Sequence, residues 1–185
     1  MIVQIDYDGT ITTENVGLEL QRRFAIDAQR FEYLRDQFES GLIDVISVVQ
    51  AGWANVKPDP AKLMETALRI TVLRKGIWKF LLTGHYLIIV SNGMTFYMQP
   101  FIGSLAPIIA GKFFIEENQS YGCLPCDLKL TIARALHPDI YIGNGLTDIE
   151  PSRLARKTYA VRNGGLHKRT DAIPFDSFDE IDLTS

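Results

Sequence analysis

The sequence predicts an α/β protein, with a Rossmann-like parallel sheet, helices on both faces and a small helical cap inserted after the first strand. Three observations support this fold class. Short apolar runs alternate with helical patterns, which is typical of βαβ units. The apolar runs contain almost no polar residues, as expected of parallel strands that helices cover on both faces. Residues 14–72 interrupt the alternation with successive helical patterns, which predicts the insertion.

Each core element has its own signal. The predicted strands are Ile2 to Ile5, Tyr86 to Val90, Asp139 to Gly143 and Lys157 to Val161. Apolar residues at helical spacing precede the last three strands, at Ile77 with Phe80 and Leu81, at Leu128 to Leu136, and at Ile149 to Ala155. Because helices separate successive strands, we expect right-handed crossovers between parallel neighbours.

The inserted segment predicts two to four helices. Apolar residues recur at helical spacing at Phe31, Leu34 and Phe38. Pro58-Asp59-Pro60 indicates a helix start, with an aspartate cap and a proline in the first turn. The stretch from Leu42 to Val49 is rich in β-branched residues and fits either a helix or a short strand. We therefore expect residues 1–13 and 73–185 to form the core domain, with 14–72 as a cap over the strand ends.

Composition favours a small-molecule ligand. The 185 residues are enough for one core with an appended subdomain, and 19 Lys plus Arg against 22 Asp plus Glu give a net charge of −3. No block of like charges indicates nucleic acid or a membrane surface as partner. No apolar stretch approaches the roughly 18 residues of a membrane span, and the start lacks a basic and apolar leader. A cytoplasmic monomer or homodimer is expected.

The two cysteines, Cys123 and Cys126, form a CxxC pair. Structural zinc needs about four Cys or His ligands, and the three histidines are scattered without paired spacing. A thioredoxin-like redox role would place the pair at the start of a helix in a βαβ unit. We expect a reduced pair without a chemical role, as is usual for a cytosolic enzyme.

Polar residues follow three of the predicted strands. The sequences at these points are Asp6-Tyr-Asp8-Gly9-Thr10, Ser91-Asn92-Gly93 and Gly143-Asn144-Gly-Leu-Thr-Asp148, and Lys129 begins the helix before the third of these strands. Because ligands of open α/β sheets bind beyond the carboxyl ends of the strands, these groups should converge. Burying an unpaired carboxylate costs several kcal/mol in practice, so Asp6 and Asp8 call for a cation.

This set of residues suits phosphoryl transfer with Mg²⁺. A phosphoryl group in transfer spreads negative charge over its oxygens, so a site needs cations and donors around it and an in-line nucleophile. Lys129, Ser91 and Mg²⁺ supply the first need and Asp6 the second. An aspartate needs no deprotonation near pH 7 and can form a covalent aspartyl-phosphate once a metal reduces the repulsion between the anions.

The same residues resemble the four motifs of the haloacid dehalogenase superfamily of phosphohydrolases. Asp6 to Thr12 is similar to the first motif, Ser91 to the second, Lys129 to the third and Gly143 to Asp148 to the fourth. The resemblance spans nearly the whole chain, and the insertion resembles the cap of the phosphoserine phosphatase-like branch. Three stretches most resemble the enol-phosphate phosphatases of methionine salvage: Leu73 to Gly76, Ser91 to Met94 and Leu146 to Glu150.

The resemblance implies a role for each matching residue. Asp6 would be the nucleophile and a metal ligand, and Asp8 the general acid and base, with its backbone carbonyl on the metal. Ser91 and Lys129 would hold the phosphoryl oxygens, and the other implied phosphate-binding residues are Gly9, Thr10, Asn92 and Gly93. Asn144 and Asp148 complete the implied metal site, with Asp148 in or next to the coordination sphere.

Asn144 departs from the family pattern, which normally has an aspartate at this position. An amide oxygen can still coordinate Mg²⁺ but brings no charge, so the metal affinity should fall. Three readings remain open: Asp148 or Glu150 compensates, the protein is an impaired phospholigand binder, or Asn144 is an engineered substitution. A phosphotransferase, in which an acceptor alcohol replaces water, is the rival within the superfamily.

Candidates for substrate specificity lie in the insertion and just after it. Glu14 and Asn15 follow the first motif, where phosphoserine phosphatases present a carboxylate to the substrate amine. Arg35 and Arg74 are candidates for binding an anionic tail. The expected substrate is a small phosphorylated metabolite, such as a phosphoserine-like, enol-phosphate or sugar-phosphate monoester.

Overall fold

The computed structural model describes residues 1–183, with backbone alone at residue 169, so the last two residues of the expected core domain lie outside the described residues. The strands are β1 (Ile2–Ile5), β2 (Tyr86–Met94), β3 (Ile108–Glu116), β4 (Gln119–Cys123), β5 (Ile140–Gly143), β6 (Lys157–Val161) and β7 (Ile173–Phe175). The helices are α1 (Val16–Arg23), α2 (Ala28–Glu39), α3 (Val45–Ala54), α4 (Pro60–Ile70), α5 (Ile77–Leu81), α6 (Thr95–Ile102), α7 (Leu128–Leu136) and α8 (Ile149–Ser152). Short helical turns cover Tyr7–Ile11, Leu146–Asp148, His167–Arg169 and Phe178–Glu180.

The strands form one seven-stranded sheet in the order β4-β3-β2-β1-β5-β6-β7. Every pair is parallel except β3 with β4. The apolar strand β1 lies between β2 and β5, with Ile5 paired to Ile89 on one side and Ile142 on the other. The predicted α/β class is therefore confirmed, and the carboxyl ends of the three central strands lie side by side.

The structure adds elements that the sequence did not predict. Strand β2 continues to Met94 through a register shift after Val90, so Ser91, Asn92 and Gly93 lie within the strand. The hairpin of β3 and β4 turns at Glu117 and Asn118, which both have positive φ. Neither residue is the glycine that usually marks such a turn, which left the hairpin without a clear local signal. The helix α6 was also missed.

The segment 14–72 contains the four helices α1 to α4. Each begins at a polar residue whose side chain accepts a backbone N–H, at Asn15, Asp27, Asp44 and Asp59. The ambiguous stretch from Leu42 is helical from Val45 onward, because the Asp44 cap and packing outweigh the strand preference of its β-branched residues. The division of the chain into a core and a cap remains our proposal. None of the helices within residues 1–183 is long and apolar enough to span a membrane.

Helix α3 is anchored to the sheet by Trp53. The indole is only 1% exposed and lies 5.1 Å from the Phe113 ring and 5.7 Å from the Phe96 ring, between centroids. A Cβ atom at Gly122 would lie 2.7 Å from the Trp53 Cβ, so a glycine is needed where α3 meets β4. Trp53 therefore fixes the inserted helices against the antiparallel hairpin.

We predict that Trp53→Ala lowers the free energy of unfolding by about 3–5 kcal/mol, because it empties a buried aromatic site. Urea unfolding monitored by circular dichroism would measure the change. Trp78→Ala is the matched control, since Trp78 is 49% exposed and should change the unfolding free energy by less than about 1 kcal/mol. Equal losses in both variants would contradict the anchoring role.

Candidate active site

The strand ends open into one cavity of about 320 Å³. Seven of the predicted catalytic, phosphate-binding and metal-binding residues line it: Asp6, Asp8, Ser91, Asn92, Gly93, Lys129 and Asn144. They come from the turn after β1, the carboxyl-terminal part of β2, the loop after β5 and the first turn of α7. The structure therefore brings these residues together at one edge of the sheet, which is the convergence that the sequence predicts.

A buried lysine lies between two carboxylates at the floor of this cavity. Lys129 Nζ is 2.8 Å from Asp6 Oδ1 and 2.8 Å from Asp148 Oδ1, and all three side chains are 6% exposed or less. The Lys129 ammonium also donates to the Thr147 hydroxyl at 3.1 Å. A buried ammonium of this kind neutralises part of the charge on the carboxylates and can attract an anionic phosphoryl group.

Asp148 organises the loop after β5. Its Oδ1 accepts hydrogen bonds from Lys129 Nζ and from the Tyr141 hydroxyl at 2.7 Å, and its Oδ2 accepts from the backbone N–H groups of Asn144 at 3.0 Å and Gly145 at 2.8 Å. With four protein donors on its two oxygens, this carboxylate is better placed beside a metal site than as a ligand in it. Glu150 is 63% exposed and pairs with Arg153, so it does not compensate for Asn144.

Burial and the local charges together raise the pKa values of both Asp6 and Lys129. Burial raises the pKa of Asp6 to about 7, the Lys129 ammonium opposes that rise and the Asp148 carboxylate adds to it. Burial by itself lowers the pKa of Lys129, but the adjacent Asp148 and Asp6 carboxylates outweigh it and hold the pKa above its ordinary value. Lys129 is therefore a permanent cation, and the ionised form of Asp6 would gain from a second one.

Asp8 lines the same cavity and accepts hydrogen bonds from a side chain and from the backbone. The Tyr97 hydroxyl donates to its Oδ2 at 2.6 Å, and the backbone N–H of Gly17 donates to its Oδ1 at 3.2 Å. Burial raises the pKa of the Asp8 carboxyl, and the bonds from Tyr97 and Gly17 oppose the rise. A carboxyl with a raised pKa is suited to give a proton to a leaving group and to take one back.

Gly9 and Thr10, in the turn after β1, position Asp6 but do not line the cavity. The Thr10 hydroxyl lies 3.1 Å from Asp6 Oδ2 and 3.3 Å from Asn144 Oδ1, so its one hydrogen is shared between two acceptors. Gly9 has φ of 73°, and a Cβ atom there would collide with the Asn144 amide. Gly9 and Thr10, predicted to bind phosphate, thus lie against Asp6 and Asn144 rather than along the cavity wall.

The end of β2 is tied to the start of α7. Asn92 Oδ1 accepts the backbone N–H of Leu128 at 3.1 Å, and its amide donates to Asp127 Oδ1 at 3.2 Å. Lys129 follows Leu128 directly, and both Lys129 and Ser91, which is only 2% exposed, line the cavity. The side chain of Asn92 is therefore engaged in positioning α7, and its predicted phosphate contact would fall to its backbone.

The donor set fits a hard divalent cation. Asp6 Oδ2 and Asn144 Oδ1 both lie within hydrogen-bond distance of the Thr10 hydroxyl. The backbone carbonyl of Asp8 belongs to the same turn as Thr10. Oxygen donors with one or two carboxylates are what Mg²⁺ uses in proteins. Within residues 1–183 no group of three or more His, Cys, Asp or Glu side chains could hold a metal ion. The residues fit Mg²⁺, with fewer charged ligands than the family pattern supplies.

The predicted specificity residues separate into two groups. Asn15 and Arg35 line the cavity, and Arg35 is paired with Glu39 at 3.0 Å. Glu14 does not line it. Arg74 lies away from it and donates to the backbone carbonyls of Gly9 and Thr10, both at 2.8 Å. Arg74 therefore stabilises the turn after β1 and is not placed to bind an anionic tail.

Sequence reasoning missed the apolar wall and the tyrosine of the cavity. The inserted helices contribute mainly apolar side chains, at Leu18, Phe38, Val45, Val48, Val49 and Trp53. The sequence indicated Phe38 only as part of a helical pattern in the insertion. Tyr97 is fully buried on α6 and has no sequence signal beyond its place six residues after Ser91.

Comparisons with known proteins agree with this arrangement. No model of a known protein family matches the chain. A curated 2-hydroxy-3-keto-5-methylthiopentenyl-1-phosphate phosphatase from Exiguobacterium sp. (strain AT1b) is 28% identical over 204 aligned positions, which cover 95% of this chain and 93% of that protein.

Solved structures show the same fold. A phospho-aspartyl intermediate analogue of phosphoserine phosphatase superposes with a TM-score of 0.77 at 15% identity, over 97% of this chain and 96% of that one. Phosphoserine phosphatase from T. onnurineus gives a TM-score of 0.72 at 17% identity, over 95% of this chain and 89% of that one. The solved structures share the fold of this chain, and the curated relative is a phosphatase; both agree with the sequence resemblance to phosphohydrolases of the haloacid dehalogenase superfamily. Within that superfamily, the curated relative is the kind of enol-phosphate phosphatase that the sequence most resembled.

We predict that Lys129→Met lowers the free energy of unfolding by about 3–5 kcal/mol, because it leaves the buried Asp6 and Asp148 carboxylates without their cation. Thermal and urea unfolding would measure the loss. Lys62→Met is the control, because it removes the same side chain from an exposed ion pair with Asp59 and should leave the midpoint unchanged. A Lys129→Met protein as stable as the control would contradict the buried triad.

Proposed function

We propose that this chain is a Mg²⁺-dependent phosphatase that hydrolyses a small phosphorylated metabolite through an aspartyl-phosphate intermediate. The observation that carries the proposal is the ion pair of 2.8 Å between Lys129 and Asp6 in a cavity that Ser91 also lines. This arrangement brings a nucleophilic carboxylate, a permanent cation and a hydroxyl into one cavity at the strand ends. Those are the groups that displacement at phosphorus needs.

The proposed reaction has two displacements. In the first, a carboxylate oxygen of Asp6 attacks phosphorus, the bond from phosphorus to the ester oxygen breaks, and Asp8 gives its proton to the departing alcohol. In the second, Asp8 takes a proton from water, the water oxygen attacks phosphorus, and the bond to Asp6 breaks to release phosphate. Ser91 and Lys129 hold the phosphoryl oxygens throughout. The net change is ester plus water to alcohol plus phosphate.

The residues that would hold Mg²⁺ are Asp6, Asn144 and the backbone carbonyl of Asp8. When bound, the ion supplies positive charge that reduces repulsion between the Asp6 carboxylate and the phosphoryl group. Burial raises the pKa of Asp6 to about 7, so the ionised nucleophile depends on nearby cations, of which Lys129 is one. Asp148 keeps Lys129 and the Asn144 loop in place.

The cavity wall favours a leaving group with an apolar portion. Among described residues that line the cavity, the carboxylate contributed by the inserted helices is Glu39, and it is already paired with Arg35. Asn15 offers a neutral amide, and its oxygen caps α1. An unpaired carboxylate for a substrate ammonium is thus lacking there, which supports an enol-phosphate ester, as in the name of the curated relative, over a phosphoserine-like one.

A second function, that of a phospholigand binder with little turnover, is favoured by Asn144 alone. The amide brings no charge to the metal site, and Asp148 and Glu150 are both engaged elsewhere. Ligand-induced thermal stabilisation without release of phosphate would support this alternative. Formation of a new phosphate ester with an added alcohol would instead indicate a phosphotransferase.

We predict that the purified protein releases phosphate from 4-nitrophenyl phosphate and from an alkyl enol phosphate, that chelation of Mg²⁺ abolishes release, and that Asp6→Asn lowers kcat by at least about a thousandfold. A phosphate-release assay across a panel of phosphorylated metabolites, including phosphoserine, would measure this. Asp36→Asn is the matched control, because Asp36 is exposed on α2 and distant from the cavity lining. Full activity in the Asp6→Asn protein would refute the proposed nucleophile.

A separate prediction concerns the metal. Asn144→Asp should lower the Mg²⁺ concentration for half-maximal activity by about tenfold, because a carboxylate replaces a neutral ligand. Mg²⁺ titrations of activity and calorimetric titrations of Mg²⁺ binding would both report the change. Asn118→Asp makes the same chemical change in the exposed β3–β4 turn and should leave the requirement as it was. An unchanged requirement in Asn144→Asp would show that this side chain is not a ligand.

A further inference from the structure

Tyr97 lies on α6, outside the three polar clusters that follow the strands, yet it makes a short contact with the proposed acid and base. Its hydroxyl donates to Asp8 Oδ2 at 2.6 Å, and the tyrosine is fully buried. Resting on the function proposed above, we propose that Tyr97 is a positioning residue that fixes the Asp8 carboxylate for proton transfer to and from the reacting oxygens.

Two glycines make room for this hydroxyl. A Cβ atom at Gly93, in β2, would collide with the Tyr97 hydroxyl and would lie 2.7 Å from Asp8 Oδ2. A Cβ atom at Gly17, in α1, would lie 2.6 Å from the same hydroxyl. At both positions, one in β2 and one in α1, a residue with a side chain would displace the phenol from Asp8. The space is shaped around the contact between Tyr97 and Asp8.

The two oxygens of Asp8 are held unequally. Oδ2 accepts the short bond from the phenol, whereas Oδ1 accepts the longer one, 3.2 Å, from the Gly17 backbone. A fixed Oδ2 sets the rotation of the carboxyl group about its own axis. Oδ1, which is held less tightly, is then the oxygen available to the leaving group and later to water.

The ring of Tyr97 is itself held by aromatic neighbours. The Trp53 indole stacks on it with centroids 6.4 Å apart and planes at 24°, and the Phe96 ring meets it edge-on at 5.2 Å. Trp53 belongs to α3 and Gly17 to α1, so both bonds to Asp8 depend on the inserted helices. The position of the Asp8 carboxyl group therefore depends on how those helices pack against the sheet.

The test is the leaving-group dependence of kcat/KM in Tyr97→Phe, which removes one hydroxyl. 4-Nitrophenolate leaves without protonation, whereas an alkoxide needs the proton from Asp8. With n-butyl phosphate we expect kcat/KM to fall at least about tenfold more than with 4-nitrophenyl phosphate. This ratio covers the steps up to cleavage of the ester bond, so slow hydrolysis of the intermediate does not mask the effect.

Tyr7→Phe is the matched control. The Tyr7 hydroxyl is also buried and its ring lies 6.1 Å from that of Tyr97, but it has no hydrogen-bond partner among the described residues. Its loss should leave the ratio between the two substrates unchanged. Equal losses on both substrates in Tyr97→Phe, or no loss on either, would overturn the proposal, because damage to packing does not discriminate between leaving groups.

A double-mutant cycle keeps the inference separate from the proposed function. In an Asp8→Asn background, Tyr97→Phe should cause little further loss of kcat/KM, whereas independent losses would overturn the inference. If the unmodified protein releases no phosphate, the proposed function fails. In that case the contact is tested by urea unfolding of the unmodified protein, Tyr97→Phe, Asp8→Asn and the double variant. Additive changes in the free energy of unfolding would overturn the contact, and coupled changes would support it.

Discussion

The ion pairs that Lys129 makes with Asp6 and Asp148 are the contacts on which the rest of the site depends. Each of the three side chains comes from a different part of the fold: α7, the end of β1 and the loop after β5. Burying them is costly unless the charges meet within contact distance. Their partnership therefore requires these three elements to be correctly placed at once, and it links the stability of the sheet edge to the geometry of the proposed nucleophile.

The balance of charge around Lys129 gives Asn144 a physical meaning. Asp6, Asp8 and Asp148 bring three buried carboxyl groups to the site, and Lys129 brings a single ammonium. A fourth carboxylate at position 144 would add to the repulsion among these groups. The amide of Asn144 adds no charge, and its oxygen lies within hydrogen-bond distance of the Thr10 hydroxyl, which also contacts Asp6. The site therefore carries three buried carboxyl groups rather than four.

The inserted helices contribute to the site in two ways. Their apolar side chains form the cavity wall, and Trp53 and Gly17 hold the groups that surround Asp8. The apolar wall of the cavity and the contacts around Asp8 therefore depend on the same docking of α3 against the hairpin of β3 and β4. A glycine at 122 permits that close approach.

The sequence by itself determined the α/β class, the central strands and the polar residues at their ends, because apolar runs, caps and turn residues act over a few neighbours. Asp6, Ser91, Lys129 and Asn144 could be assigned to one edge since parallel strands end together. Only the tertiary structure decided that Arg74 stabilises a turn, that Asp148 is fully engaged by protein donors, and that Tyr97 reaches Asp8. These contacts join residues far apart in the chain, or depend on strand register and on glycine-sized gaps between elements. The spacing of residues along the sequence contains no information on strand register or on such gaps. Only the packed structure could therefore reveal these contacts.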